Sequence, residues 1–480
     1  MDNTEHEHTI AIERHRRGNR WMHWINFPLL TVMIWSGLRI YWADLRDPFV
    51  AGIGGWEVFT FFPDWVNGPL GLERRLARGM AFHFSFGWLF LINGIAFAVY
   101  LTRTKGWRNF VPSRSDLSNI PGVLRHEIGR GELPPQGKYN VVQQLTYAGV
   151  LGMGALAVLS GFSIYKPTQL APLTSLLGGY ESARTIHWLV TMGFLAFFVL
   201  HLVQVVRAGF ANFFAMITGF ERVTVAEATD EPERVPTLST DEYVSRSRRS
   251  VLTGIGGIGA AAFGWRWVQT RPADANIPDV LRDVHQANES IWRGLFREGA
   301  NAPTFDFEKS SMMRVNGRHG IREEIDLDAW ELTVIGADGA VLGTHTLDDL
   351  RGLPQIEMIV EHKCIEGWSH VVAWGGTRFS DFVETFHPDQ ASRAFVGLAT
   401  PDDEYRVGLE IDAMLHPQTM LALDLQRAPL TDEHGAPVRL ATPLKYGIKQ
   451  IKRIGTIQFS DVQPEGDYWA SRGYDWYAAL

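Results

Sequence analysis

The sequence predicts an all-α membrane bundle of four spans plus a fifth anchoring span, followed by a soluble α+β domain rich in strands. Three observations carry that reading. Four apolar stretches follow one another at 22–42, 80–102, 141–165 and 184–207, each as long as the about 20 residues a crossing helix needs. Lys and Arg crowd alternate connections, seventeen of them in 1–20, 103–140 and 207–249 against five in 43–79 and 166–183, which predicts a cytoplasmic N-terminus. Beyond residue 270 the apolar stretches give way to short β-branched runs separated by Gly, Pro and Asp.

The averages conceal this division: the 480 residues are 46 % hydrophobic with a formal net charge of −8. A single cysteine excludes an internal disulfide, an iron–sulfur cluster, a CxxCH haem attachment and a Cys-rich zinc site. Mild acidity and the lack of a basic-aromatic patch exclude nucleic acid as a partner.

Taken in order, residues 1–220 form the membrane domain. The Trp-rich connection within 43–79 reads as a docking surface or a cap lying on the membrane. Residues 221–247 (ERVTVAEATDEPERVPTLSTDEYVSRS) are polar and read as a cytoplasmic linker. Segment 248–268 opens with Arg248 and Arg249 paired ahead of a short, Gly-rich run, 251–268. A twin arginine before a weakly apolar run resembles the signal that exports folded, cofactor-loaded proteins through the twin-arginine machinery. With no A-x-A-like cleavage site, the segment stays as an anchor and places 269–480 in the periplasm. That domain opens with an amphipathic helix near 277–296. The strand-like runs WELTVIG, IEMIVEHKC, RAFVGLA, MLALDL and IGTIQFS follow.

Four histidines lie in the four spans: His23, His83, His187 and His201. An imidazole in hydrocarbon is costly and marks function. His187 and His201 are 14 residues apart, about 21 Å along one face of a helix, so one helix can hold two metal centres stacked across the bilayer. Span direction then matches depths: His23 with His201 on the inner side, His83 with His187 on the outer. Each pair can hold one b-type haem through both axial positions. Gly37, Gly87, Gly94, Gly149, Gly152, Gly154 and Gly193 leave room for a flat macrocycle or for close helix packing. This pattern resembles the bacterial di-haem cytochrome b family that includes the membrane subunits of formate dehydrogenase and hydrogenase. The resemblance covers the first 210 residues and implies a four-helix bundle exchanging electrons with the quinone pool.

The lone thiol stands in EHKCIEGWSH, 361–370. Lys363, His362, Glu366 and His370 give Cys364 a polar setting that favours thiolate, the ligand a soft metal wants. With no second cysteine, an organic dithiolene would complete the coordination. KCIEGWSHVVAWGG, DDEYRVGLEIDAMLHPQTMLALDL and HGAPVRLATPLKYGIKQIKRI, in that order, resemble the sulfite oxidase family of molybdopterin enzymes, in its methionine sulfoxide reductase branch, from about 303 to 460. The resemblance implies that Cys364 ligates molybdenum and that Glu366 is the acid beside it. It places Asn316, His319 and Gly320 of RVNGRHG, Thr400, His434, Arg439, Gln450, Ile451 and Lys452 at the pterin. Lys445 and Lys449 join Arg439 and Lys452 as a cluster of four cations suited to a phosphate. His434 and Gly317 depart from the family, which has Asn at both positions.

Sulfite-oxidising relatives carry arginines after the metal-binding Cys, whereas Ile365, Glu366, Gly367 and Trp368 follow here. The expected function is therefore a quinol-linked reductase of the inner membrane. It would pass electrons through two b haems to Mo-molybdopterin and remove oxygen from a small periplasmic sulfoxide- or N-oxide-like substrate. A sulfite-type dehydrogenase feeding quinone is the reverse alternative. An electron conduit with a non-catalytic outer domain is the third.

Overall fold

The structure, a computed structural model, describes residues 9–41, 51–53, 56–59, 63–72, 76–132, 134–135, 139–224, 237–297, 299–322, 325–327 and 329–480. The chain divides into two compact units, one drawn from 1–34, 86–160 and 185–271, the other from 35–85, 161–184 and 272–480. Five long helices run Arg17–Tyr41, Leu76–Arg103, Val141–Tyr165, Tyr180–Thr218 and Thr240–Thr270. Among the described residues, the second, third and fourth are long and apolar enough to cross a membrane. The first carries Arg17, Asn19, Arg20 and Arg39, and the fifth is rich in Arg and Gly, so three of the expected spans have the length and apolarity of a crossing helix. The fourth helix breaks at Gly209, whose φ of 81° and ψ of 170° lie outside the helical region, just past the expected end at 207.

In the first unit the apolar surface points outward. Ile92, Ile95 and Val99 of the second helix and Leu200 and Val206 of the fourth are exposed, the arrangement a lipid solvent requires. Polar groups turn inward, where Asn93 Nδ2 donates to Asn26 Oδ1 at 2.7 Å.

The expected linker 221–247 proves ordered at both ends, while 225–236 lies outside the described residues. Phe220–Thr224 and Thr237–Leu238 pair antiparallel on either side of Thr9–Glu13, burying Ala11 and Ile12. The fifth helix begins at Thr240, not at 248. Ser239 accepts from Glu242 N–H while Glu242 accepts from Ser239 N–H, a capping box that satisfies two orphan donors at once and draws the start eight residues upstream. Arg248 and Arg249 thus lie inside a helix, exposed. Much of 43–79 lies outside the described residues, and the proposed docking surface there with it.

Among its described residues the second unit holds two five-stranded sheets. In one, Gln355–Lys363, Ser369–Arg378, Met420–Leu425 and Ala428–Pro429 lie in that order, with Arg439–Ala441 also paired to Met420–Leu425. In the other the order is Arg406–Glu410, Phe395–Ala399, Thr456–Ser460, Leu332–Ile335 and Val341–His345; all its pairs are antiparallel except Thr456–Ser460 with Leu332–Ile335. The expected runs all form strands because alternate residues such as Leu332, Val334, Val396, Leu398, Ile457 and Phe459 enter one buried core. The amphipathic helix forms at Asp279–Gly294 and buries Leu281, His285, Asn288 and Trp292.

One buried pair makes this unit acid-sensitive. His345 and His387 meet Nε2 to Nε2 at 2.8 Å, so one ring donates and the other must stay unprotonated to accept. Burial holds both below the ordinary imidazole value, His345 further opposes a proton on His387, and Asp349 is the nearby carboxylate favouring His345's charge. A depressed histidine contributes stability that is whole above about pH 6.5 and is lost as pH falls below it. Between pH 7 and pH 5.5 the domain's Tm is expected to drop by roughly 2–4 °C. His387→Leu should lessen that dependence in a pH-resolved melting series.

Candidate functional site

Strand Gln355–Lys363 returns as Ser369–Arg378 with His362 opposite His370 and Lys363 opposite Ser369, leaving 364–368 as the loop at the hairpin's end. Cys364 N–H donates to Trp368 O at 2.9 Å and Gly367 N–H to Cys364 O at 3.0 Å. The close turn requires Gly367 at φ 100°. Cys364 is buried in an apolar cluster with Trp368, Val360 and Met313.

Around the thiol the structure gathers residues from two motifs. Asn316 Nδ2 lies 3.9 Å from Cys364 Sγ and donates to Glu366 Oε2 at 3.1 Å. Trp368 Nε1 donates to the same oxygen at 3.1 Å, and Sγ lies 3.7 Å from it. Arg314 comes within 3.5 Å of Glu366 and stacks 4.4 Å above Trp368. The expected activation of the thiol by its polar sequence neighbours is not what the fold provides. Burial pushes the thiol well above its usual range and Glu366 adds to the rise. Lys363 is turned to Glu361 at 2.9 Å. His362, held neutral by burial with its pKa lowered to about 3, meets Gln450 Oε1 at 3.0 Å.

The other expected residues sort into two groups. Lys452 Nζ donates to the carbonyls of Asn316 (2.8 Å), Gly317 (3.1 Å) and Glu433 (2.7 Å), tying the 314–320 motif to the 434–439 loop. Gly320 sits so close to Thr400 that a Cβ would overlap it. Thr400 Oγ1 donates to Asp402 at 2.6 Å, and His319 meets the Tyr468 hydroxyl at 2.8 Å. Arg439 is buried, donates to His434 O and Gln450 O at 3.0 and 3.1 Å, and stacks on Trp374; burial lowers its pKa only to about 10, so it stays cationic. Gln450 and Ile451, by contrast, are spent on the fold. Gln450 Nε2 donates to Thr442 O and Lys445 O, while the backbone of Ile451 pairs with Lys449 and Leu440.

Within the first unit, the rings of His23 and His201 stand 6.0 Å apart, and His201 stacks on Phe197. His187 Nδ1 meets Ser160 Oγ at 3.0 Å. That hydroxyl donates to Leu156 O at 2.6 Å, so it accepts from His187 and leaves the proton on Nδ1. Within the second unit, His83 Nδ1 meets Ser36 Oγ at 3.0 Å and its ring lies against Gly37. Gly193 serves close packing instead, its Cα facing Met153.

Residues 14–219 match the model of prokaryotic cytochrome b561, and 319–469 match that of the oxidoreductase molybdopterin-binding domain. A protein named as the YedZ1 subunit of a protein-methionine-sulfoxide reductase, from Azospira oryzae, is 31 % identical over 211 residues, 42 % of this chain and 78 % of that protein. The chain belongs to the prokaryotic cytochrome b561 family, fused to a sulfite oxidase-type molybdopterin oxidoreductase. The molybdopterin half is 37 % identical over 155 residues to the catalytic subunit MsrP of a protein-methionine-sulfoxide reductase from Xanthomonas axonopodis, 29 % of this chain and 48 % of that one. A Campylobacter jejuni protein of the same name is 31 % identical over 176 residues, 33 % of this chain and 59 % of that one. The chain thus spans about half the length of these catalytic subunits. A solved sulfane dehydrogenase, SoxCD from Paracoccus pantotrophus, aligns at a TM-score of only 0.27 and 18 % identity, over 30 % of this chain and 41 % of that one.

The residues of the molybdopterin oxidoreductase fit its cofactor. His434 Nδ1 and Arg439 Nε are buried without a hydrogen-bond partner, a costly state for polar atoms unless a polar group meets them. In the cytochrome half, His23 Nδ1 is likewise buried and unpartnered. The 6.0 Å between its ring and His201 suits one metal ion between two bonds of about 2 Å.

The expected cluster of four cations does not hold as a phosphate site. Lys445 is buried against Glu410 at 2.7 Å and Tyr477 O at 2.8 Å. Lys449 is buried against Asp467 and Gly408 O. Each pairs with an acid far along the chain, which sequence spacing does not reveal. Lys449→Met would strand Asp467 and is expected to cost roughly 3–5 kcal/mol of stability while leaving pterin content per folded molecule unchanged. Lys452→Met should lower pterin content and cost stability less than Lys449→Met, its three bonds being to neutral carbonyls, and paired melting and pterin assays of the two variants separate the roles. Arg314 and Tyr468 were not among the residues expected from the sequence. Arg314 stands two residues before Asn316, and only the fold shows that its guanidinium reaches the thiol's surroundings.

Proposed function

We propose that the protein is a quinol-linked reductase of the inner membrane. His23 and His201 would hold one b haem and His83 and His187 a second, supplying electron transfer, and Cys364 would hold a periplasmic molybdenum. The observation that carries this is that its two halves match two different subunits bearing the same enzyme name, protein-methionine-sulfoxide reductase. When bound, the molybdopterin group supplies oxygen-atom transfer. A sulfoxide then gives up its oxygen as water at the cost of two electrons and two protons. Asn316 and Trp368 orient Glu366, which we assign to moving protons beside the thiol. Lys452, Arg439 and His434 hold the pterin, and Ser160 keeps His187 in the tautomer that presents Nε2 to a metal.

Arg314 favours a second reading. A guanidinium beside Glu366 offers an anion the cation that sequence alone did not provide, as a sulfite-type dehydrogenase would need. One experiment decides. Purified protein should contain two haems and one molybdenum, and haem reduced with dithionite should be reoxidised by methionine sulfoxide. Reduction of the oxidised haems by sulfite, with no response to any sulfoxide or N-oxide, would overturn the reductase in favour of the dehydrogenase.

A further inference from the structure

The helix that carries His187 and His201 begins at Tyr180, and its first turn grips the loop that carries Cys364. Ser369 Oγ, at the loop's end, lies 2.7 Å from Glu181 Oε1 and 2.7 Å from Glu361 Oε1. Lys363 Nζ stands 5.4 Å from the centre of the Tyr180 ring, which is itself buried. On the loop's other side, a Cβ built on Gly367 would lie 3.4 Å from Arg184 Nη2 and 3.8 Å from both Cζ and Nε. Three near-equal distances place the guanidinium flat against the loop. Glu181 fixes Arg184 in turn, accepting from Nη1 at 2.9 and 3.0 Å.

The segment before this turn is built into the same unit. Lys166 Nζ donates to Ala479 O at 2.7 Å and Thr168 Oγ1 to Pro443 O at 3.1 Å. Gln169 N–H donates to Leu480 O at 3.1 Å, and the Tyr446 hydroxyl reaches the carbonyls of Ile164 and Tyr165. The connection between the third and fourth helices is therefore part of the catalytic domain's own packing. Three residues after Arg184, about 4.5 Å further along the helix axis, comes His187.

We propose that Tyr180 and Arg184 form the electron port between the haem ligated by His187 and the molybdenum ligated by Cys364. This rests on the reading that both groups are resident. Single electrons leave ferrous haem, oxidising it, and enter molybdenum, reducing it. Two such transfers serve each substrate oxygen, and the two protons come from solvent. The port is a packed contact, with the loop's Gly367 and Lys363 on one side and the helix's first turn, Tyr180 to Arg184, on the other.

The test uses the full-length holoprotein in detergent. Haem reoxidation by methionine sulfoxide, followed by stopped-flow absorbance, should slow at least about fivefold in Tyr180→Leu/Arg184→Ala, while viologen-driven turnover, which feeds molybdenum directly, stays within about twofold. Tyr180→Phe, which keeps the ring, should match the parent protein. Reoxidation at the parental rate in the double variant overturns the proposal. So does an equal fall in viologen-driven turnover, which would mark a merely structural role. A second readout does not depend on the substrate. The Mo(V) resonance of the parent should relax faster when the haems are ferric than when they are ferrous, and this difference should shrink in Glu181→Ala/Ser369→Ala. No difference in the parent sinks the port whatever the enzyme reduces, whereas a normal difference with no sulfoxide response sinks only the assigned substrate.

Discussion

Replacing Cys364 by Ser is expected to abolish turnover with every electron donor, by on the order of a thousandfold or more, while the haem spectrum and the fold persist. The loop does not need the sulfur to close: Cys364 N–H and C=O make their hydrogen bonds to Trp368 and Gly367 through the backbone. What the substitution removes is the one thiol in the chain, and a hydroxyl is a poor substitute for thiolate at such a metal. The measurement is viologen-driven sulfoxide reduction beside metal analysis and a haem spectrum. Turnover retained in Cys364→Ser would remove the molybdenum assignment.

His201→Ala should take away one haem of the two and cut quinol-driven turnover by about a hundredfold or more, with viologen-driven turnover held within about twofold. His23 faces His201 across 6.0 Å and keeps a buried nitrogen with no partner. Loss of one ring leaves a single axial position filled, and b haem held without a covalent link is readily lost. Haem per chain by pyridine haemochrome gives the answer directly. Two haems retained in the variant would show that His201 is not a ligand.

Much of the architecture was legible in the sequence because it follows from periodicity and length. Apolar runs of bilayer length became the helices at Leu76–Arg103, Val141–Tyr165 and Tyr180–Thr218, and the β-branched runs became strands. The capping box at Ser239 and Glu242 was present in the sequence too, but the polar residues around it masked the helix start. The site was legible where a motif carries its chemistry locally, as in Cys364, Asn316 and Glu366, which the fold brings within hydrogen-bonding distance of one another or nearly so. It was not legible where charge depends on distant partners. Lys445 and Lys449 resemble phosphate ligands in a row of cations, yet Glu410 and Asp467 claim them. Cys364 looked polar beside Lys363 and His362, yet strand alternation turns those side chains to Glu361 and Gln450. A thiol's environment is decided by what packs over it, which no window of ten residues contains.

Among the described residues, the strand Thr9–Glu13 finds its partners at Phe220–Thr224 and Thr237–Leu238. A ribosome must therefore deliver more than two hundred further residues before Ile12 can be covered, and until then that edge stays open to other chains. Fragments of the cytochrome half cut near residue 219 would leave this edge bare, so a piece ending after 238 is the shortest that supplies both partner strands.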